Sequence, residues 1–282
     1  QEAEKFGAKT IGVGMNMTDA AKPLILDEAG GIGIFAVGYQ RGCKPAGEDK
    51  GGCLSWSEME VIRSVIQEIK AKCRWCVVVA HGGEEFTAIP SPYTRERYHA
   101  YLEMGADLVV CHHPHVPMNY ETVGDKMIFY SLGNFIFDTD YQRAQFNTEK
   151  GILLKLHFTE TKYSFEALGL KINRENEHIE TAPLPKIFAD IQEDDYNKLE
   201  PLAAKMFLAA TKRQQLFLYP DKFKNATEAQ WKDHFYEEKR SGRVPGEALD
   251  FQIIYPIAQE EAKGAWKECK LEAVKAYILE QM

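Results

Sequence analysis

The sequence predicts an α/β fold. Three observations carry that reading: short apolar runs of strand composition, a long amphipathic helix leading into one of them, and Gly- or charge-rich turns that close the elements. Cys76 to Ala80 and Leu108 to Cys111 are such runs. They are too short for helices and have the unbroken apolar character of strands buried on both faces of a sheet. A helix between two such strands implies a right-handed parallel crossover.

Taken in order, residues 2–9 read as the tail of a helix ended by Gly7, and Thr10 to Gly14 as a short strand. Asn16 to Pro23 is a turn and helical step, with Thr18 or Asp19 as its cap. Leu24 to Asp27 and Ile32 to Tyr39 form a strand pair across Ala29-Gly30-Gly31. Gln40 to Ser55 is a Gly- and charge-rich loop, long enough to serve as a lid or rim. Trp56 to Lys72 is the clearest helix, capped by Ser55 or Ser57, with Met59, Ile62, Val65, Ile66 and Ile69 as its buried stripe. A second helix runs from Thr94 to Met104, and Gly105 ends it. Met118 to Val123 and Lys126 to Leu132 make a hairpin around Gly124-Asp125, and Ile152 to Phe158 pairs with Tyr163 to Ile172. Beyond about Pro183 the chain turns to Lys, Glu, Gln and aromatics and reads as helices over Asp195 to Thr211, Thr227 to Arg240 and Ile257 to Gln281. This divides the chain into an α/β domain, 1–185, and a helical C-terminal extension, 186–282.

Composition narrows the function. With 45% apolar and 27% charged residues the chain has the balance of a globular protein. A net charge of −8 argues against nucleic acid as a partner. No apolar run reaches the length of a membrane span, and no signal peptide opens the chain. Six scattered cysteines do not dictate a disulfide scaffold; Cys43 and Cys53 flank one loop and can pair in an oxidising compartment, whereas the lone C-x-x-C at Cys73 and Cys76 is no zinc knuckle.

The chemistry gathers at two strand ends. The strand Leu108 to Cys111 delivers His112, His113 and His115, and Pro114 stiffens the exit. In an extended exit, residues two apart face one way, so His113 and His115 aim at one point. His81-Gly82-Gly83-Glu84-Glu85 follows the neighbouring strand. Loops after adjacent parallel strands share the sheet edge where open α/β folds bind ligands. Histidine nitrogen with a carboxylate suits a divalent transition ion, Zn, Mn or Fe, better than calcium or magnesium. Such an ion polarises a phosphoryl or carbonyl oxygen and acidifies water. His81, His113 and His115 are the ligand candidates, and His112 competes for one of those places. Glu85 is a ligand, a general base or an imidazole-orienting acid; it is otherwise a solvated loop acid. Asn134, in a Gly-Asn turn, is a donor to a substrate oxygen or simply a left-handed turn residue. Tyr130, Asp138 and Arg143 are weaker candidates for the cleft wall, and His99 reads as structural.

At these residues the chain resembles the CapA family, proteins of capsule and poly-γ-glutamate biosynthesis with a metallophosphatase-like fold. The shared elements are His81-Gly82-Gly83-Glu84-Glu85-Phe86, where the family shows His-Trp-Gly-x-Glu-Tyr, then Gly105-Ala106-Asp107, Cys111-His112-His113-Pro114-His115-Val116, and Tyr130 to Phe135 as Tyr-Ser-Leu-Gly-Asn-Phe. Gly14-x-Asn16, Ala20, Pro23 and Gly38-Tyr39 extend the likeness, which covers roughly residues 7–160. Gly82 for tryptophan and Cys111 for glycine are departures. The resemblance implies a four-layer α/β/β/α sandwich of the calcineurin-like phosphoesterase type, binding one or two metal ions. It also implies an aspartate-bearing strand and an Asn-Asn-His element ahead of the residues seen here. Their absence from the sequence points to a fragment, a site completed by another chain, or a degraded site. Family members are often exported or membrane-anchored. The implied function is a metal-dependent hydrolase of phosphoesters within anionic-polymer or capsule biosynthesis. The alternatives are a non-catalytic polymer-binding or assembly component beside capsule-synthase partners, and a γ-glutamyl amide hydrolase.

Overall fold

Six strands form the central sheet, and their order follows from the apolar runs. A computed structural model describes residues 5–39, 44–199, 206, 210, 216–227, 229, 230 and 233. The strands are β1 (Val13–Gly14), β2 (Leu24–Leu26), β3 (Ile32–Gly38), β4 (Gly52–Cys53), β5 (Trp75–His81), β6 (Leu108–His112), β7 (Tyr120–Val123), β8 (Lys126–Phe129), β9 (Lys150–Phe158), β10 (Tyr163–Asn173) and β11 (His178–Ala182). The helices are α1 (Met17–Ala21), α2 (Met59–Lys72), α3 (Pro92–Glu103), α4 (Asp140–Arg143) and α5 (Pro220–Phe223). The central sheet has the order β2-β3-β5-β6-β8-β7, with β3, β5, β6 and β8 parallel and β2 and β7 antiparallel at its edges. A second, antiparallel sheet, β11-β10-β9, is separate from it.

The strand β5 shows why the core divides in two. Its alternate residues Cys76, Val78 and Ala80 join the core under the helices, with Ile62, Val65, Ile66 and Ile69 of α2 and Tyr98, Tyr101 and Leu102 of α3. Its other face, Trp75 and Val77, joins Leu108, Val110 and Phe129 against the second sheet, where Leu154, Leu156 and Phe165 pack. The layers among the described residues are therefore helices, mixed sheet and antiparallel sheet. Trp75 Nε1 donates to Thr159 O at 2.8 Å, and the Tyr163 hydroxyl donates to Asp107 O at 3.2 Å, so the two sheets are also stitched at one end. Asp107 is itself buried and accepts from Cys76 N at 2.7 Å and Lys70 Nζ at 2.8 Å, which ties α2 to β5 and β6.

The expected elements appear with local corrections: β4 forms inside the stretch expected to be a loop and pairs with β1, and β8 ends at Phe129 rather than Leu132. The first helical step is capped by Asn16, whose side chain accepts from Asp19 N at 2.9 Å, not by Thr18 or Asp19. Neither Ser55 nor Ser57 caps α2: their hydroxyls bond each other at 2.8 Å, and the helix begins at Met59, because Ser55 and Trp56 are held against Gly38 of β3. The helix α3 starts two residues early, where Ser91 accepts from Thr94 N at 3.3 Å and Pro92 opens the first turn. The strand β11 was not anticipated; it is a short edge strand of mixed pattern paired to β10. Cys53 is disulfide-bonded, whereas Cys73, Cys76 and Cys111 are free and buried. Its expected partner Cys43 and the expected helices over 227–240 and 257–281 lie, wholly or mostly, outside the described residues. No helix among the described residues is long and apolar enough to cross a membrane.

Past the second sheet the chain returns to the open edge of the first. Tyr120 N donates to Ala189 O at 3.1 Å and Ile191 N to Tyr120 O at 3.0 Å, so the backbone there continues the pairing beyond β7. Residues 193–199 are helical, and the Tyr196 hydroxyl donates to Pro90 O at 2.8 Å. The anchor beneath is Glu121, whose side chain is 5% exposed. It accepts from Arg95 at 2.5 Å, from the Tyr130 hydroxyl at 2.7 Å, and lies 3.0 Å from His99 Nε2. Arg95 also pairs with Glu193. Tyr130 and His99 are thus structural, and Tyr130 lies in the core and not in a cleft wall.

Burial alone pushes the Glu121 carboxyl up, but the hydrogen bonds from His99, Arg95 and Tyr130 outweigh it and take its pKa down to about 2. The linked stability is fully present above the ordinary carboxylate value of 4.5 and is lost as the pH falls toward 2. Glu121→Gln is expected to destabilise the protein by on the order of 3 kcal/mol at neutral pH. Denaturant unfolding as a function of pH should show that deficit shrinking between these two pH values.

Candidate functional site

The parallel register of β5 and β6 sets His81 directly opposite His112. Both are the last residues of their strands, and alternation places both on the face turned toward the second sheet. The chain then does not leave β6 in an extended form. His113 has φ 109° and His115 φ 63°, both in the left-handed half of backbone space, with Pro114 between them. This corrects the expectation of simple strand-like alternation: two reversed residues, not a straight exit, swing the rings together.

The convergence itself is observed. His113 Nδ1 lies 3.3 Å from His81 Nε2, and the two rings meet edge to face with centroids 4.9 Å apart. The rings of His113 and His115 are 6.1 Å apart. Tyr39 packs against His113 and in turn on Trp56. His81 reaches the surface, yet surrounding protein, and then the neighbouring His115, hold its pKa below the usual imidazole value. Burial, and then His81, do the same to the half-buried His112. Both shifts favour the neutral ring, which keeps a lone pair.

His115 is the most tightly held of the four. Phe86 stacks on it at 5.8 Å and 23°, and Phe137 at 5.1 Å and 22°. Its Nδ1 lies 2.9 Å from Asn134 Oδ1. The Asn134 amide nitrogen donates to Thr148 O at 3.0 Å and to Gln142 Oε1 at 3.2 Å. A carbonyl only accepts, so Thr148 fixes which way the amide faces. Asn134 Oδ1 must then accept from His115, and the proton of the neutral ring sits on Nδ1. The other nitrogen, Nε2, carries the lone pair. Asn134 is buried and its donors are committed, so it orients an imidazole and has no donor left for a substrate oxygen. Gly133 makes the turn possible: its φ is 72°, and a side chain there would lie 2.6 Å from Lys150 O.

The acids divide. Glu84 is buried and accepts from Ser91 Oγ at 2.6 Å, Thr94 Oγ1 at 2.9 Å and Ser91 N at 3.1 Å, so it braces the start of α3. Glu85 is half-buried in the same turn, one residue before the Phe86 that stacks on His115. Asp138 is bound by Arg143 and Arg174, each at 2.9 Å. Gly82 has no room for a side chain: a Cβ there would lie 2.5 Å from the Trp56 ring. Sequence reasoning missed Phe86, Phe137 and Gln142, because stacking across separate loops leaves no local pattern.

The donor set can be compared with what an ion requires. Two nitrogens bound to one tetrahedral ion at about 2.0–2.1 Å stand about 3.3–3.4 Å apart. The His81 and His113 nitrogens meet that spacing. Among the described residues no group of three or more His, Cys, Asp or Glu side chains is placed to hold a metal ion.

The fold and this edge define an α/β protein with an imidazole cluster at the C-terminal rim of a mixed sheet. The family described as bacterial capsule synthesis protein PGA_cap matches residues 1–139. The PGA biosynthesis protein CapA of Bacillus subtilis (strain 168) is 32% identical over 148 residues, which are 51% of this chain and 38% of that protein. The capsule biosynthesis protein CapA of Bacillus anthracis is 30% identical over 141 residues, 48% of this chain and 34% of that protein. The matches thus span little more than a third of each relative. Through residues 1–139 the chain is similar to the CapA family.

Asn134→Ala should cost about 1–3 kcal/mol, since Thr148 O and His115 Nδ1 lose buried partners. The sharper readout is the tautomer. Long-range proton–nitrogen correlation spectra should show His115 protonated on Nδ1 in the native protein and a mixture of both tautomers in the variant.

Proposed function

We propose that the chain carries part of a metal-dependent hydrolytic site acting on a phosphoester in the making of an anionic capsule polymer. The observation that carries this reading is the approach of the His81 and His113 nitrogens to 3.3 Å at the sheet edge. His81 and His113 would hold a divalent transition ion, Zn, Mn or Fe. Such an ion supplies Lewis-acid polarisation of a phosphoryl oxygen. His115, with its proton pinned on Nδ1 by Asn134, keeps Nε2 as an acceptor, and its ring stands 6.1 Å from that of His113. His112 and Glu85 stand at the same edge as candidate proton carriers. The strained φ values at His113 and His115 support a functional reading, since such strain persists where the surroundings over-determine it. The four-layer phosphoesterase arrangement belongs to this proposal too: helix, sheet and sheet are its first three layers. An amide-bond hydrolase acting on γ-glutamyl links would use the same residues, and product analysis with poly-γ-glutamate separates the two.

A second reading, a binding component of a polymer-assembly complex with synthase partners, has its own support. Phe135, Ile136 and Phe137 follow Asn134 directly and are 57%, 76% and 48% exposed. Clustered exposed apolar residues beside a site mark contact surfaces.

The experiment is metal analysis paired with turnover. After dialysis against zinc, manganese or iron, at least one ion per chain is expected, lost in His81→Ala and His113→Ala. Hydrolysis of a model phosphodiester should fall in both by more than the roughly 10–100-fold typical of an outer-sphere loss. Substoichiometric metal, with turnover unchanged by His113→Ala, would overturn the hydrolase reading.

A further inference from the structure

Two residues of α4 reach His115 along separate lines. Gln142 accepts from Asn134, which accepts from His115 Nδ1. Its neighbour Tyr141 packs edge to face on Phe86 at 5.7 Å and 75°, and Phe86 stacks on His115. Behind these rings stands the C-terminal extension. Ala210 is 1% exposed and shares a buried cluster with Phe86 and Val116, against which Tyr141 packs. Phe217 meets Tyr141 at 5.5 Å and 59°. None of Tyr141, Gln142, Ala210 or Phe217 lies within the 1–139 stretch that matches the family.

We infer that the extension is the back wall of the histidine site: Ala210 and Phe217 seat Tyr141 and Phe86, and these positioning residues set the orientation of the His115 ring. The physical argument is packing. Phe86 has φ 62°, a backbone state that an aromatic residue adopts only under constraint, so its ring is held by what surrounds it. One face of that ring carries His115, and the cluster with Val116, Tyr141 and Ala210 packs around the rest. Interiors are close-packed, so removing a ring one contact away shifts its neighbour and does not leave it in place. The hydrogen bond to Asn134 fixes the proton of His115; the aromatic contacts fix the tilt of its plane. A nitrogen lone pair acts along that plane, so tilt decides where Nε2 aims. The part of the chain outside the family match therefore tunes a residue inside it. The inference rests on the proposed role of His115 but not on any metal.

The test uses the full chain and reads the His115 ring protons, which a stacked phenyl shifts strongly. Phe86→Leu should move these signals most. Tyr141→Ala and Phe217→Ala should move them in the same direction by a smaller amount, and Tyr141→Phe should restore the native positions. The signals of His99 and His178, which lie in other contacts, should stay in place and serve as the control for global unfolding. Phe217 is 44% exposed, so its truncation leaves the core intact and decides the matter if Tyr141→Ala fails to fold. His115 signals unchanged in Phe217→Ala, or unchanged in Phe86→Leu, would overturn the inference. Because the spectra need neither metal nor substrate, a failure here is distinct from a failure of the hydrolase reading.

Discussion

The constraint on which the site depends is the parallel register between β5 and β6. It brings His81 and His112 level at the ends of adjacent strands, so that the loop after each begins at the same height on the sheet edge. A slip of β6 by one residue against β5 would turn His112 toward the helices and leave Val109 facing the wrong core. The register is held from both sides. Val78 and Val109 fill the core beneath the helices, and Val77 and Val110 fill the core against the second sheet. Asp107, just ahead of β6, takes the Cys76 N–H at the start of β5 and so locks the opposite end of the pair.

Around that fixed edge the loops do different work. The turn after β5 spends its two acids unequally: Glu84 goes inward to brace α3, and Glu85 stays at the edge. The exit from β6 stores strain in His113 and His115 so that one ring meets His81 and the other enters a slot between Phe86 and Phe137. The Gly133-Asn134 turn then supplies the hydrogen bond that settles the tautomer of His115. Three loops from three strand ends are each one contact deep, and the second layer of contacts comes from α4 and the C-terminal extension.

The extension is integrated with the fold as well as with the site. Its first stretch extends the pairing at the edge of the central sheet through Ala189 and Ile191. It is clamped by Arg95, which shares Glu121 with His99 and Tyr130 and pairs onward with Glu193. An edge strand covered in this way is no longer a template for unwanted pairing. Glu121 is nearly closed to solvent, yet the hydrogen bonds from His99, Arg95 and Tyr130 keep its carboxylate charged well below the ordinary range, so the contact is sensitive to acid.

Much of this was legible in the residues themselves. Apolar runs of strand length, the stripe of Ile62, Val65, Ile66 and Ile69, and turn residues at each break determine the parallel unit and therefore which loops share an edge. The histidines at 81, 112, 113 and 115 mark that edge, and the motifs around them carry the family. What the chain could not state locally is how those rings are aimed. Strand alternation suggested a straight exit after β6, but the packed surroundings impose left-handed geometry at two residues, at a cost only tertiary contacts can offset. Asn134 reads from sequence equally as a donor toward substrate and as a plain turn residue, and only the carbonyl of Thr148 reveals that its amide is already committed. Periodicity reports which face a residue shares with its neighbours in sequence. The tilt of a ring, the site of its proton and the wall behind it are set by contacts between segments far apart in the chain, and those exist only once it has folded.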